Sequence, residues 1–333
     1  MSLAIVFDEP APFKLLSPKT VDEAAELSAQ HGSNAALLAG GCDLLDQLKH
    51  NWRRPDYVIN LKGISGLRGV SKDSNQLKIG ALTLLDEVER DSTIGQLFSA
   101  LQLGAGRVAT PQIRNMGTVG GNLLQDSRCS YYRSGFNCYR AGGIVCDAHH
   151  GLNAYHAILG GDRCYTVTPS DLAPVMVALN ATVTVRSAGR SEELSASDLF
   201  VPPSKNIRRM TCIEPGQILT EIGIPIIPGQ RSTFLKYAVR NTWDFGLASV
   251  AVSTRYSGAK CSDCSVVFGS LAAVPWRSKG AEEALEGAEL NEQTIEAAAT
   301  AAVAGAEPLS HNEYKIALTR KLLREALGNI ARS

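Results

Sequence analysis

Leu38-Ala39-Gly40-Gly41-Cys42-Asp43-Leu44-Leu45 sets a diglycine between two apolar segments. Before it runs an apolar segment of strand length, Ala35 to Ala39, which the diglycine ends. After it, Asp43 to Lys49 takes up helical spacing, with Leu44, Leu45 and Leu48 on one face. Tyr57-Val58-Ile59-Asn60-Leu61 then reads as the next strand, so strand, glycine turn, helix and strand make a βαβ unit. A diglycine at such a turn exposes backbone N–H groups to an anion. An ordinary βα turn has the same residues. The turn lacks the third glycine of the dinucleotide fingerprint and the Gly-Lys-Ser/Thr of a phosphate-binding P-loop.

Upstream, Phe13 to Leu16 reads as a strand and Ser17 to Gln30 as a helix. Thr20 is its N-cap, Glu23 sits three residues on, and Val21, Ala24 and Leu27 form an apolar stripe. Downstream lies a second glycine-rich stretch, Thr110-Pro111-Gln112-Ile113-Arg114-Asn115-Met116-Gly117-Thr118-Val119-Gly120-Gly121-Asn122. Gly117, Gly120 and Gly121 allow a tight backbone path, and Thr118 and Asn122 add side-chain hydrogen bonds suited to phosphate oxygens or a flavin edge. Two such loops on different subdomains can clamp one diphosphate from both sides.

Four cysteines follow, Cys129, Cys138, Cys146 and Cys164, spaced C-x8-C-x7-C-x17-C. The C-x2-C pairs of most zinc ribbons and ferredoxins are missing, so spacing alone leaves an iron–sulfur cluster, a structural zinc, two disulfides and scattered buried thiols all open. His149, His150 and His156 in the same segment keep a mixed Cys/His site open as well. Cys261-Ser262-Asp263-Cys264 is a lone C-x-x-C, read as a hairpin turn with incidental thiols, and Cys42 and Cys212 are read as structural.

The chain has 333 residues, 44% of them hydrophobic and 20% charged, and Lys plus Arg equals Asp plus Glu. That length predicts two or three domains, and the charge balance offers no basic surface for nucleic acid. No apolar run reaches the length of a membrane span. Met1 to Pro12 shows no basic and apolar leader pattern, which predicts a cytoplasmic protein with free thiols or metal ligands. Export on a partner's signal would place it in the periplasm instead.

From Leu67 onward the pattern is richer in strands. Gln76 to Gly80, Ala181 to Arg186 and Gln217 to Ile224 alternate, while Leu84 to Val88 and Ile94 to Leu103 read as helices. The Pro225, Pro228-Gly229 cluster is a linker. Beyond it, Ser232 to Val239, Ala248 to Tyr256 and Ser265 to Leu271 read as strands, and 281–286, 294–304 and 314–327 as helices, which together predict an antiparallel sheet backed by helices.

The Ala39 to Leu45 turn, the Arg114 to Asn122 loop, Ser170-Asp171-Leu172-Ala173-Pro174 and Phe234-Leu235-Lys236, in that order, resemble the FAD-binding medium subunits of the molybdenum hydroxylases. Xanthine dehydrogenase and carbon monoxide dehydrogenase belong to that family. The resemblance covers essentially the whole chain. It implies an α/β (α+β) fold with an FAD-binding domain over 1–228, its subdomains at about 1–62 and 63–228, and a C-terminal domain over 229–333. It places Leu38, Ala39, Gly40, Gly41, Cys42, Asp43, Leu44 and Leu45, with Thr118, Gly120, Gly121 and Asn122, on the FAD diphosphate, and it counts Asn115 and Gly117 among the FAD-binding residues. Val108, Thr110, Asp171, Leu219 and Lys236 would lie along the rest of FAD. Cys42 stands where threonine is common, which keeps the backbone contacts and removes a hydroxyl.

Most members lack the cysteine-rich insertion. Asn153-Ala154-Tyr155-His156-Ala157-Ile158-Leu159-Gly160-Gly161 and the following Cys164-Tyr165 are similar to the periplasmic aldehyde oxidoreductases, and the insertion also resembles that of 4-hydroxybenzoyl-CoA reductase. Flavin subunits of that branch carry an extra [4Fe–4S] cluster, so the resemblance implies Cys129, Cys138, Cys146 and Cys164 as its ligands, within a segment spanning 126–166. It further implies a large molybdopterin subunit, a small [2Fe–2S] subunit, and electron transfer through FAD and the [4Fe–4S] cluster to or from a quinone, ferredoxin or nicotinamide. The complex would oxidise an aldehyde or N-heterocycle, or reduce an aromatic acyl-CoA. A stand-alone flavin oxidase of the vanillyl-alcohol oxidase fold and a zinc-stapled scaffold subunit are the alternatives.

Overall fold

The computed structural model describes residues 9–257 and 260–332. Three sheets succeed one another along the chain. The first contains β1 (Lys14–Leu16), β2 (Ala35–Leu38) and β3 (Tyr57–Asn60) in the order β1-β3-β2, and both pairings are parallel. The helix Val21–His31 joins β1 to β2. Thr20 caps it, its hydroxyl oxygen accepting from the Glu23 N–H at 3.1 Å. Leu44–Lys49 follows the Gly40-Gly41 turn and leads towards β3. Ala24, Ala25, Ala35 and Ile59 make the core of this layer.

The second sheet is antiparallel, with β4 (Val70–Lys72), β5 (Gln76–Gly80), β6 (Thr182–Ser187), β7 (Arg190–Ser195) and β8 (Ile218–Pro225) in the order β4-β5-β8-β6-β7. Between β5 and β6 lie short helices, the glycine loop and the whole cysteine segment. The helix expected over Ile94 to Leu103 is broken at Phe98, which ends Ser92–Leu97 and precedes Ser99–Gly106. Phe98 is 1% exposed, so burying the ring fixes the bend.

The third sheet holds β9 (Gln230–Tyr237), β10 (Ala248–Ser257), β11 (Lys260–Gly269) and β12 (Trp276–Arg277), antiparallel in the order β12-β11-β10-β9. Its two faces are divided by the strand period of two. Phe234, Ala251 and Val267 join the core of the second layer, whereas Val250, Val252, Val266 and Phe268 pack with Leu323, Ala326 and Leu327 of the helix Tyr314–Arg332. This sheet is therefore covered on both faces, by helices of the preceding domain and by its own C-terminal helices. Lys236 shares the parity of Phe234, and so points towards the preceding domain.

Cys261 and Cys264 are not in a hairpin turn. They lie within β11, and both are buried. The pairing with β10 shifts register between Ser253 and Arg255, and Asp263 opposite the shift has φ +52°. A β-bulge of this kind adds one residue to the strand, so residues three apart face the same core. Among the described residues, no helix is long and apolar enough to cross a membrane.

Candidate functional site

A cleft of about 750 Å³ opens between the glycine turns, within the 300–1,000 Å³ typical of cofactor sites. Backbone contact brings the turns together. A Cβ on Gly40 would lie 2.1 Å from the Met116 carbonyl oxygen, so only glycine allows this approach. Gly41 has φ +85° and sits over the side chains of Leu38 and Leu45. The second loop is anchored to the residues after β5. Gly120 N–H donates to the Ala81 carbonyl at 2.8 Å, Val119 N–H to Thr83 at 2.9 Å, and Leu85 N–H to Gly117 at 2.9 Å.

Thr118 caps the short helix Val119–Leu123, its hydroxyl oxygen accepting from Gly121 N–H at 3.1 Å. Asn122 Oδ1 accepts from the Ser170 hydroxyl at 2.6 Å, which ties the loop to the chain just before Leu172–Ala178. The hydrogen bonds these two side chains were expected to give a ligand are thus partly spent in holding the loop.

Ala39, Gly40, Gly41, Cys42, Asp43, Leu44, Val108, Gly117, Thr118, Gly120, Gly121, Asn122, Asp171, Leu219 and Lys236 all line the cleft. Four expected residues stand off its wall. Leu38 and Leu45 pack beneath Gly41, Thr110 caps Pro111–Arg114, and Asn115 is an exposed helix end. The cleft also has walls that no motif announced: Arg53, Arg128, Ile213 to Pro215, and Trp243 to Phe245. They come from segments far apart in the chain, and no local pattern joins them.

At the cleft wall, Lys236 Nζ donates to Asp171 Oδ2 at 2.6 Å and to the Arg107 carbonyl at 3.1 Å. Both side chains are almost wholly buried. Burial pushes the Asp171 carboxyl above the usual carboxylate range, and the Lys236 ammonium opposes that push. The pair joins the second and third layers across the cleft. Cys42 is exposed, with Sγ 3.9 Å from the Ile113 carbonyl oxygen, and partial burial raises its thiol pKa.

Cys129, Cys138, Cys146 and Cys164 line a second, small cavity with His156, Arg140 and Tyr139. The first three cysteines share one local design. Each immediately precedes a short helical turn, Ser130–Arg133, Tyr139–Ala141 and Asp147–His150. Close backbone contacts fix these turns, since a Cβ on Gly143 would lie 2.1 Å from the Asn137 carbonyl oxygen. All eight cysteines are free thiols. Among the described residues, no three His, Cys, Asp or Glu side chains are grouped tightly enough for one metal ion.

Burial raises the thiol of Cys129, and that of Cys164 to about 11, so thiolates here need a cationic partner. His156 Nε2 is 3.2 Å from Cys129 Sγ, and burial lowers the imidazole pKa to about 4. The imidazole is therefore neutral at pH 7. His149 and His150 contact each other, and His149 stacks on the Tyr165 ring. The segment is fastened to the first glycine turn by charge: Arg133 Nη2 lies 2.9 Å from Asp43, Arg128 Nη2 3.0 Å from Asp43, and the Asp126 N–H donates to Asp43 at 2.8 Å.

Comparison with known proteins agrees with this architecture. The family described as the FAD binding domain in molybdopterin dehydrogenase matches residues 11–227, and the CO dehydrogenase flavoprotein C-terminal domain matches 233–330. The aldehyde oxidoreductase FAD-binding subunit PaoB of Escherichia coli (strain K12) is 30% identical over 91% of this chain and 94% of that protein. The carbon monoxide dehydrogenase medium chain of Hydrogenophaga pseudoflava is 27% identical over 96% of this chain and 97% of that one. The solved structure of carbon monoxide dehydrogenase from Hydrogenophaga pseudoflava superposes with a TM-score of 0.77 at 26% identity, covering 98% of this chain and 99% of that chain. The protein belongs to the FAD-binding subunits of the molybdenum hydroxylase family, the oxidoreductase subunits of the carbon monoxide dehydrogenase and xanthine dehydrogenase type.

Proposed function

We propose that this chain is the electron-transfer subunit of a molybdenum hydroxylase complex and carries both FAD and a [4Fe–4S] cluster. The FAD diphosphate would lie between the Gly40-Gly41 turn and the Gly117 to Asn122 loop. The Asp171–Lys236 pair would face the rest of the cofactor from the cleft wall. The observation that carries this reading is the approach of the two turns across one cleft, backbone to backbone at Gly40 and Met116. Cys129, Cys138, Cys146 and Cys164 would hold the cluster. In support, all four line one cavity.

When bound, FAD supplies the exchange between two-electron and one-electron chemistry, and the cluster supplies a one-electron carrier. The chain's own residues bind and orient these groups, and none need act as acid or base on an organic substrate. A large molybdopterin subunit would oxidise that substrate, and a small subunit would carry [2Fe–2S] clusters. The aldehyde oxidoreductase relative favours an aldehyde as the substrate class.

Replacing Cys138 by serine in the assembled complex tests the cluster's part. Intact FAD binding with altered electron transfer supports a redox role, while unchanged transfer after loss of iron overturns it. Substrate turnover by the isolated chain would identify a stand-alone oxidase, and zinc without flavin a scaffold subunit.

A further inference from the structure

The cleft between the glycine turns holds an unbalanced charge problem. Its wall includes the carboxylates of Asp43 and Asp46, with Asp43 two residues beyond Gly41. A diphosphate brought to that turn meets a like charge, and backbone N–H groups carry no net charge to offset it. Three cations line the cleft: Arg53, Arg128 and Lys236. Lys236 is engaged by Asp171 and the Arg107 carbonyl. Arg53 donates through Nη2 to the Ala35 carbonyl at 2.9 Å.

Arg128 differs from both. Its guanidinium lies 5.1 Å from the centroid of the Phe245 ring, itself a cleft residue. Nη2 is 3.0 Å from Asp43 and Nη1 3.7 Å from Asp46, while Nε is buried without an acceptor in the protein. Guanidinium is a rigid fork of five N–H donors, so it can keep a carboxylate on one edge and offer the others to phosphate oxygens. Arg133 reaches the same two carboxylates, at 2.9 Å and 3.3 Å, but does not line the cleft. The acids therefore keep a second cation while Arg128, still on Asp43, also meets a ligand.

We propose that Arg128, seated on Phe245 and held by Asp43, is the cation that meets the FAD diphosphate. This inference rests on the FAD reading above and goes beyond its glycine turns. Arg128 directly precedes Cys129, so one residue would belong to the walls of the flavin site while its neighbour belongs to the cysteine cavity.

The test is FAD rebinding to the full chain after removal of its flavin, followed by flavin fluorescence, with ADP as a competing probe. Arg128→Gln should weaken FAD and ADP in parallel, by about tenfold, the value of a charge-assisted contact. Binding should also lose part of its salt dependence. Arg128→Lys should recover part of the affinity by restoring charge. Arg133→Gln, which removes the other cation on Asp43 without touching the cleft, should weaken FAD clearly less than Arg128→Gln does. Wild-type chain that binds no FAD overturns the FAD reading and this assignment together. Wild-type binding that Arg128→Gln leaves unchanged, or a loss for FAD without one for ADP, overturns the Arg128 assignment alone. An equal loss in Arg133→Gln overturns it too, by placing the effect in Asp43's position.

Discussion

The glycine-turn cleft and the cysteine cavity lie next to each other and are walled in different ways. The cleft is shaped by backbone. Gly40 lies against the Met116 carbonyl, and Gly120 is bonded to Ala81 beside a five-stranded sheet. The cysteine cavity is lined by side chains carried on turns of three or four residues, with Phe136, Ile144, Val145, Leu152 and Tyr155 left exposed around it. A site made of backbone fails when a side chain intrudes. One made of side chains fails when a ligand atom is lost.

The largest effect should follow from the side-chain site. Cys138→Ser should remove the iron of the purified chain almost completely while FAD content stays near wild type, as read by iron assay and flavin absorbance. Equal loss of both cofactors would break the contrast and make the segment part of the flavin site. Next comes the pair on the cleft wall. Lys236→Met leaves the Asp171 carboxylate buried and unpaired, which should cost about 3–5 kcal/mol in denaturant unfolding. A loss near zero would show that Asp171 is neutral in the folded protein.

Gly40→Ala puts a methyl group against the Met116 carbonyl oxygen. It should abolish FAD binding at a stability cost of about 1–3 kcal/mol, with iron content retained. Retained FAD would show that the turns do not need this approach.

The last effect, read as a slope rather than a loss, is a pH dependence that sharpens how the cysteine segment is clamped. Lys315 is buried and donates to the Tyr155 and Ser270 carbonyls, and burial lowers its pKa to about 7 from 10.5. Between those two values the unfolded chain binds a proton that the folded chain lacks. Stability through this group should then rise with pH across that window. Lys315→Met should flatten the rise, with the slope of unfolding free energy against pH as the readout.

Much of the first layer was legible because its signals are local. The Ala35 strand, the diglycine and the Leu44, Leu48 spacing lie within one short stretch, and Thr20 caps its helix with its own side chain. The C-x-x-C misled for a physical reason. Two cysteines and an Asp suggest a turn, but the bulge at Asp263 lets β11 run straight through them. The cleft walls at Arg53, Arg128 and Trp243 to Phe245 have no common motif, and only the packing of distant segments brings them together. Likewise, residue type identified the four cysteines as candidates, but the cavity they share depends on turns that spacing does not encode.

The most direct test of the account is the cofactor content of the purified full chain. Iron, zinc and flavin should be measured on one sample, with and without Cys129, Cys138, Cys146 and Cys164 replaced together by serine. The wild-type chain should hold about one FAD and about four irons, and the variant FAD without iron. Zinc in place of iron, or iron that survives loss of all four cysteines, would contradict it.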